Sequence, residues 1–146
     1  MGNKNHSLIY MPFPVDIQFI EEAERQLGLL FPPIYKSKMV KENGGEVGTD
    51  SEGWTLFPFF DKSDNKRISR TSNHIVLETR NAREWDSFPQ NAVAIGDNGC
   101  GDYLVLQVID GGTSELSDVP YSWWHETGEL RKVSETIIDL LELEDD

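Results

Sequence analysis

Ile17, Ile20, Ala23 and Leu27 recur every three to four residues, the spacing that places apolar side chains on one stripe of a helix. They predict a first helix over 15–27, with Glu24 on the same stripe. Pro14 precedes it, and Gly28 stands where a left-handed residue ends a helix. A shorter helix is predicted over 33–42, because Pro33 suits a first turn and Asn43-Gly44-Gly45 stops it. The pattern then changes. Thr55-Leu56-Phe57 is β-prone and is halted by Pro58, as in a short or edge strand. The polar run 61–72 reads as a loop. A third helix is predicted over 73–84, capped by Ser72 or Asn73, with Ile75, Thr79 and Ala82 inward.

Beyond Phe88-Pro89 the apolar runs 92–95 and 103–108 flank Gly96-Asp97-Asn98-Gly99-Cys100-Gly101-Asp102, a strong hairpin signal. Val105 and Ile109 alternate with Leu104, Leu106 and Val108, so both faces of the second strand are apolar and a central position is implied. Asp110-Gly111-Gly112 turns the chain and 121–125 reads as another strand. Ser134 is expected to cap a last helix that buries Ile137, Ile138, Leu140 and Leu141, with 142–146 an acidic, fraying tail. No repeat or linker divides the chain, so one domain over 1–146 is expected, with 1–14 as an N-terminal extension. Helices at the ends and strands grouped late predict an α+β fold: a mostly antiparallel (mixed) sheet with helices packed on one face.

Composition supplies 38% hydrophobic and 10% aromatic residues, enough to build a core without staples. The single cysteine, Cys100, has no partner for an internal disulfide, which fits a reducing compartment. The N-terminus carries no secretion pattern and no segment reaches membrane-spanning length, so a cytoplasmic protein is expected, with no membrane partner. Charge changes the picture more. The net charge is −13, and it is unevenly placed. Residues 1–83 carry eleven basic and eleven acidic side chains, whereas 84–146 carry two basic (Arg131, Lys132) against fifteen acidic. Such a field repels nucleic acid and attracts a basic partner; acidity of this kind also serves solubility.

Candidate chemistry is thin. The 97–102 loop gathers Asp97, Asn98 and Asp102, but it lacks the alternating acids and closing Glu of a calcium loop, so no metal is expected. Its bland reading is a Gly-rich turn whose Asp and Asn bond local backbone, and a turn tip also suits partner contact. Cys100 with His74 or His125 would make a nucleophile and base, except that Asp97 and Asp102 oppose thiolate formation. Glu126 and Glu129 flank Gly128 in an expected turn and read as exposed acids. The three histidines lack zinc-site spacing, and Gly96-x-x-Gly99-x-Gly101 precedes a strand where a phosphate loop needs a helix. Neither a cofactor nor catalysis is expected. Among Trp54, Trp85, Trp123 and Trp124, the last two are adjacent on a strand and must point to opposite faces. One can enter the core while the other leans outward as a candidate anchor; the alternative is a tryptophan buried under a helix.

These residues form an ordered series: Ile20-Glu21-Glu22-Ala23-Glu24-x-x-Leu27-Gly28, Phe31-Pro32-Pro33-x-Tyr35, Glu42-Asn43-Gly44-Gly45, then Ile95-Gly96-Asp97-Asn98-Gly99-x-Gly101-Asp102-Tyr103-Leu104, and Val119-Pro120-Tyr121-Ser122-Trp123-Trp124-His125-Glu126. From about Phe19 to Leu141 the chain resembles the SUKH superfamily, in the SMI/KNR-type branch related to a fungal regulator of cell-wall synthesis. It departs from the usual pattern at Asn98 and Cys100 and at the Pro120 insertion. The resemblance implies an α+β fold and, in bacteria, a non-enzymatic immunity protein that binds a cognate polymorphic toxin such as a nuclease. An intracellular scaffold of the cell-wall-regulator type is the alternative. No binding residue carries over by motif. From charge and exposure, the contact face is expected at Asp97, Asp102, Asp118, Trp124 and Glu126.

Overall fold

The computed structural model describes residues 12–48, 52–109 and 114–145. The chain runs α1 (Ile17–Leu27), α2 (Pro33–Lys41), β1 (Gly45–Gly48), β2 (Gly53–Leu56), α3 (Asn65–Arg70), α4 (Ile75–Ala82), β3 (Ala92–Asp97), β4 (Tyr103–Gln107), β5 (Tyr121–Trp123), β6 (Leu130–Lys132) and α5 (Ile137–Asp145). The strands form one six-stranded sheet in sequence order, each antiparallel to its neighbour. The α+β expectation is met. A parallel bridge between Leu30 and Glu115 lies outside the named strands.

Directly paired residues share a face of a sheet. The register therefore puts Leu56, Gly96, Leu104 and Ser122 on one side, and Thr55, Asp97, Tyr103, Trp123 and Leu130 on the other. The first side is continued by Trp54 and Leu106, and the core gathers these with Ile20, Tyr35, Met39, Ile137 and Leu140. On the second side Phe88, from the α4–β3 connection, packs edge-on against Tyr103 (5.9 Å) and Trp123 (5.3 Å). β3 is buried along five of its six residues, as the apolar hairpin pattern requires.

Where Pro58 ends β2, side chains replace a strand. Asn43 accepts from the Phe59 N–H (2.8 Å) and donates to its carbonyl (2.9 Å). The Thr79 hydroxyl accepts from the Ala94 N–H (3.0 Å) and donates to the Ala94 carbonyl (3.4 Å). Both backbone positions are thereby satisfied where no neighbouring strand supplies partners.

Several expectations are corrected. β2 is short but interior, lying between β1 and β3. β1 was not expected: Asn43-Gly44-Gly45 ends α2 and leads straight into a strand. The 61–72 loop contains α3, which buries no residue and so shows no hydrophobic period. Its cap is Asp64, whose carboxylate accepts from the Arg67 N–H at 2.8 Å. α4 starts later than expected, because the His74 ring, and not Ser72 or Asn73, accepts from the Leu77 N–H (3.3 Å). Ser134 does not cap α5; the Thr136 hydroxyl faces the Asp139 N–H (3.4 Å), while Ser134 donates to the Thr136 carbonyl. Ile138 is 36% exposed and does not join Ile137, Leu140 and Leu141 in the core. β5 ends at Trp123, and β6 follows it unpredicted. Of the expected extension, Pro12 and Phe13 pack in: the Phe13 carbonyl accepts from the Asn43 N–H, and Arg67 lies 4.4 Å over the Phe13 ring. The 110–112 turn lies outside the described residues, as do the side chains of 142–146.

Candidate functional site

The β3–β4 turn is organised from within. Asn98 Oδ1 accepts from the Cys100 N–H (2.9 Å) and the Asp102 N–H (3.3 Å). Asn98 Nδ2 donates to Asp102 Oδ2 (3.0 Å), and Asp102 Oδ1 accepts from the His125 N–H (3.1 Å) and the His125 Nδ1–H (2.7 Å). Asp102 is therefore buried and fully occupied, and it ties the hairpin tip to the β5–β6 turn. Burial raises its carboxyl, but the hydrogen bonds from Asn98 and His125 outweigh that cost and hold it below the ordinary range. Gly101, at φ +100°, lets the His125 ring approach: a Cβ there would stand 3.0 Å from Nδ1. Cys100 contributes its N–H to the turn and leaves its thiol exposed.

The β5–β6 turn is fixed in the same way. The Trp124 N–H donates to the Glu129 carbonyl (2.9 Å) and Gly128 N–H to the Trp124 carbonyl (2.7 Å). Gly128 sits at φ +75° so close to Ser87 that a Cβ would stand 2.8 Å from that residue's side chain. Trp123 is fully buried, with its indole N–H on the Ser87 carbonyl (3.2 Å). Trp124 leaves on the opposite side, as expected, and donates to Ser122 Oγ (2.9 Å). The Arg131 guanidinium lies 4.5 Å over the Trp124 ring and donates to Glu129 Oε1 (2.9 Å).

The structure thus brings Asp97, Asp102, Trp124 and Glu126 to one end of the sheet. Asp118 lies at the other end: Ser117 bonds the Gln107 carbonyl at the far end of β4, and Ile137 bonds the Asp118 carbonyl. β4 alone separates the two ends by roughly 13 Å. Glu126 is exposed beside His125. Asp97 is half-buried next to Glu78 and Tyr103. Burial raises the carboxyls of Asp97 and Glu78, and repulsion from Asp97 adds to the rise at Glu78. Burial, with the same two acids, raises the Tyr103 phenol. Among the described residues no group of three or more His, Cys, Asp or Glu is placed to hold a metal ion.

A family model described as the SMI1 / KNR4 family (SUKH-1) matches residues 14–143. The chain belongs to this family. No curated protein matches it. SUKH domains are generally non-enzymatic immunity or regulatory proteins, which makes the surface of this SUKH-1 domain more informative than any cleft. Among the described residues no helix is long and apolar enough to cross a membrane.

Sequence reasoning passed over the most exposed tryptophan of this SUKH-1 domain. Trp85 is 46% exposed, against 2% for Trp54 and 0% for Trp123. Its ring meets Trp123 (5.8 Å, 62°) and His125 (5.9 Å, 63°) edge to face. Glu84 and Asp86 on either side are exposed. The available signal was its setting in Glu84-Trp85-Asp86, just after a helix and before Phe88-Pro89, where an indole has little element of its own to cover it.

Proposed function

We propose that this domain neutralises a cognate bacterial polymorphic toxin, such as a nuclease, by direct stoichiometric binding in the cytoplasm. Family membership supports a protein-binding role; the charge arrangement supports a basic partner. Residues 84–146 carry two basic side chains against fifteen acidic. Both bases are already matched internally, Arg131 by Glu129 (2.9 Å) and Lys132 by Glu135 (2.9 Å). Among the described residues of this half, Glu84, Asp86, Asp118, Glu126 and Asp139 are exposed, and both of its cations are occupied. Such a surface steers a basic groove into encounter and raises the association rate. In this reading Asp97, Trp124 and Glu126 belong to the contact face and Asp102 shapes it from beneath. Asp118 takes part only if the toxin spans the length of β4.

Co-expression with the protein encoded immediately upstream tests the proposal. Rescue from a lethal neighbour, with a stable one-to-one complex, is the expected result. Reversal of Asp97 and Glu126 to lysine then slows association and lessens its salt dependence. A harmless neighbour that does not bind overturns the toxin reading and leaves a scaffold of the cell-wall-regulator type as the alternative.

A further inference from the structure

The molecule contains one finished example of a recognition geometry and one unfinished copy. At Trp124 three parts stand together: an indole, a guanidinium 4.5 Å above it, and Glu129 accepting from that guanidinium at 2.9 Å. At Trp85 the indole is exposed, exposed Glu84 and Asp86 flank it in sequence, and exposed Glu126 follows His125, whose ring meets the indole. Among the described residues the cations over aromatic rings lie on Phe13 and Trp124, and none lies on Trp85.

We propose that Trp85 is the seat for an arginine side chain of the protein partner. The partner's guanidinium stacks on the indole and is held at its rim by the carboxylates of Glu84, Asp86 and Glu126. The proposal deepens the toxin-binding reading and depends on it only for the partner's identity.

Arginine is favoured over lysine because its planar, weakly hydrated head stacks on a ring while its edge still donates to carboxylates. Tryptophan and arginine are also the side chains on which interface energy concentrates. The seat is rigid before binding. The Trp85 carbonyl accepts from Phe88 N–H (3.1 Å) and its N–H reaches the Ala82 carbonyl (3.0 Å). Behind the ring, Trp123 is pinned to Ser87 and His125 to Asp102. Little ordering remains to oppose the contact, which is what distinguishes an anchor from a loose surface aromatic.

The test uses the full chain and a blocked Arg-Gly-Arg peptide, with Lys-Gly-Lys and citrulline-Gly-citrulline peptides as controls. The four indole N–H resonances are followed by NMR and assigned by single Trp→Phe substitutions. The Trp85 resonance is expected to shift saturably with the arginine peptide, less with lysine and least with citrulline, while Trp54, Trp123 and Trp124 stay in place. Glu84→Gln with Asp86→Asn, which leaves the ring and its packing intact, is expected to reduce that shift. A stationary Trp85 resonance, an equal response to citrulline, or shifts spread evenly over the acidic half would overturn the seat. In a complex with the upstream protein, Trp85→Ala is expected to weaken binding by about thirtyfold. Unchanged affinity there removes the seat and leaves toxin capping standing. A specific peptide response without any captured neighbour does the reverse.

Discussion

The 98–102 turn and the 84–88 connection meet at the His125 ring, which lies against Gly101 and edge to face with Trp85. They are opposite kinds of surface. The turn is rich in groups that suggest chemistry, yet Asn98 and Asp102 direct their polar atoms at one another, at the local backbone and at His125. The connection has no motif, and it exposes nearly half of a tryptophan between two acids. Polar richness in a tight turn measures how much the turn needs to hold its own shape. In the 84–88 connection ordinary turn bonds satisfy the backbone, and Glu84, Trp85 and Asp86 are left exposed.

That contrast is most directly broken at Asp102. Asp102→Ala strands the His125 N–H and the Asn98 amide, and is expected to lower stability by about 1–3 kcal/mol, read by denaturant unfolding. The wild-type contribution is present above the ordinary carboxyl range and is lost as pH falls through the lowered folded value. A neutral substitution would show that the turn keeps its shape without this carboxylate.

Glu78 has the opposite sign. Burial, then Asp97, raises its folded carboxyl, so its ionised form opposes folding at neutral pH, and the opposition fades as pH drops through the raised value. Glu78→Gln is expected to stabilise the domain at pH 7 by less than about 1 kcal/mol, after allowance for solvent screening. The gain should vanish in acid. A loss of stability at pH 7 would mean that Glu78 has an attractive partner outweighing Asp97.

The smallest effect is expected at Arg131. It is a surface group on an edge strand, so Arg131→Ala should leave the melting temperature nearly unchanged. It should uncover Trp124 and shift its fluorescence to the red. The two tryptophans would then present similar open seats, which sharpens the comparison: the arginine peptide should now move both indole resonances.

Much of the fold was legible because burial imposes period. Ile20, Ala23 and Leu27 marked α1, and the alternation around Leu104 and Val105 marked a covered central strand. Two of the missed elements share a physical source, which is that short elements without a buried face leave no period. α3 rests on the Asp64 cap, and β6 on its pairing with β5 beside an exposed Arg131 and Lys132. At the candidate site, Asp97, Asp102, Trp124 and Glu126 lie at one end of the sheet because the hairpin and its neighbouring strand are local. Sequence could not separate the buried Asp102 from the exposed Glu126, since that difference depends on His125 arriving from 23 residues away. Asp118 stands at the other end of β4, a consequence of strand direction that composition does not encode.

The two side chains that stand in for a strand at Phe59 and Ala94 have a kinetic consequence. Asn43 follows α2 and Thr79 belongs to α4, so neither backbone position is protected until a helical segment has docked against the sheet. The sheet's interior end and its flanking helices are thereby joined into one opening unit. The amide protons of Phe59 and Ala94 should exchange with deuterium at the rate of global unfolding, and at no faster rate set by fraying of a strand.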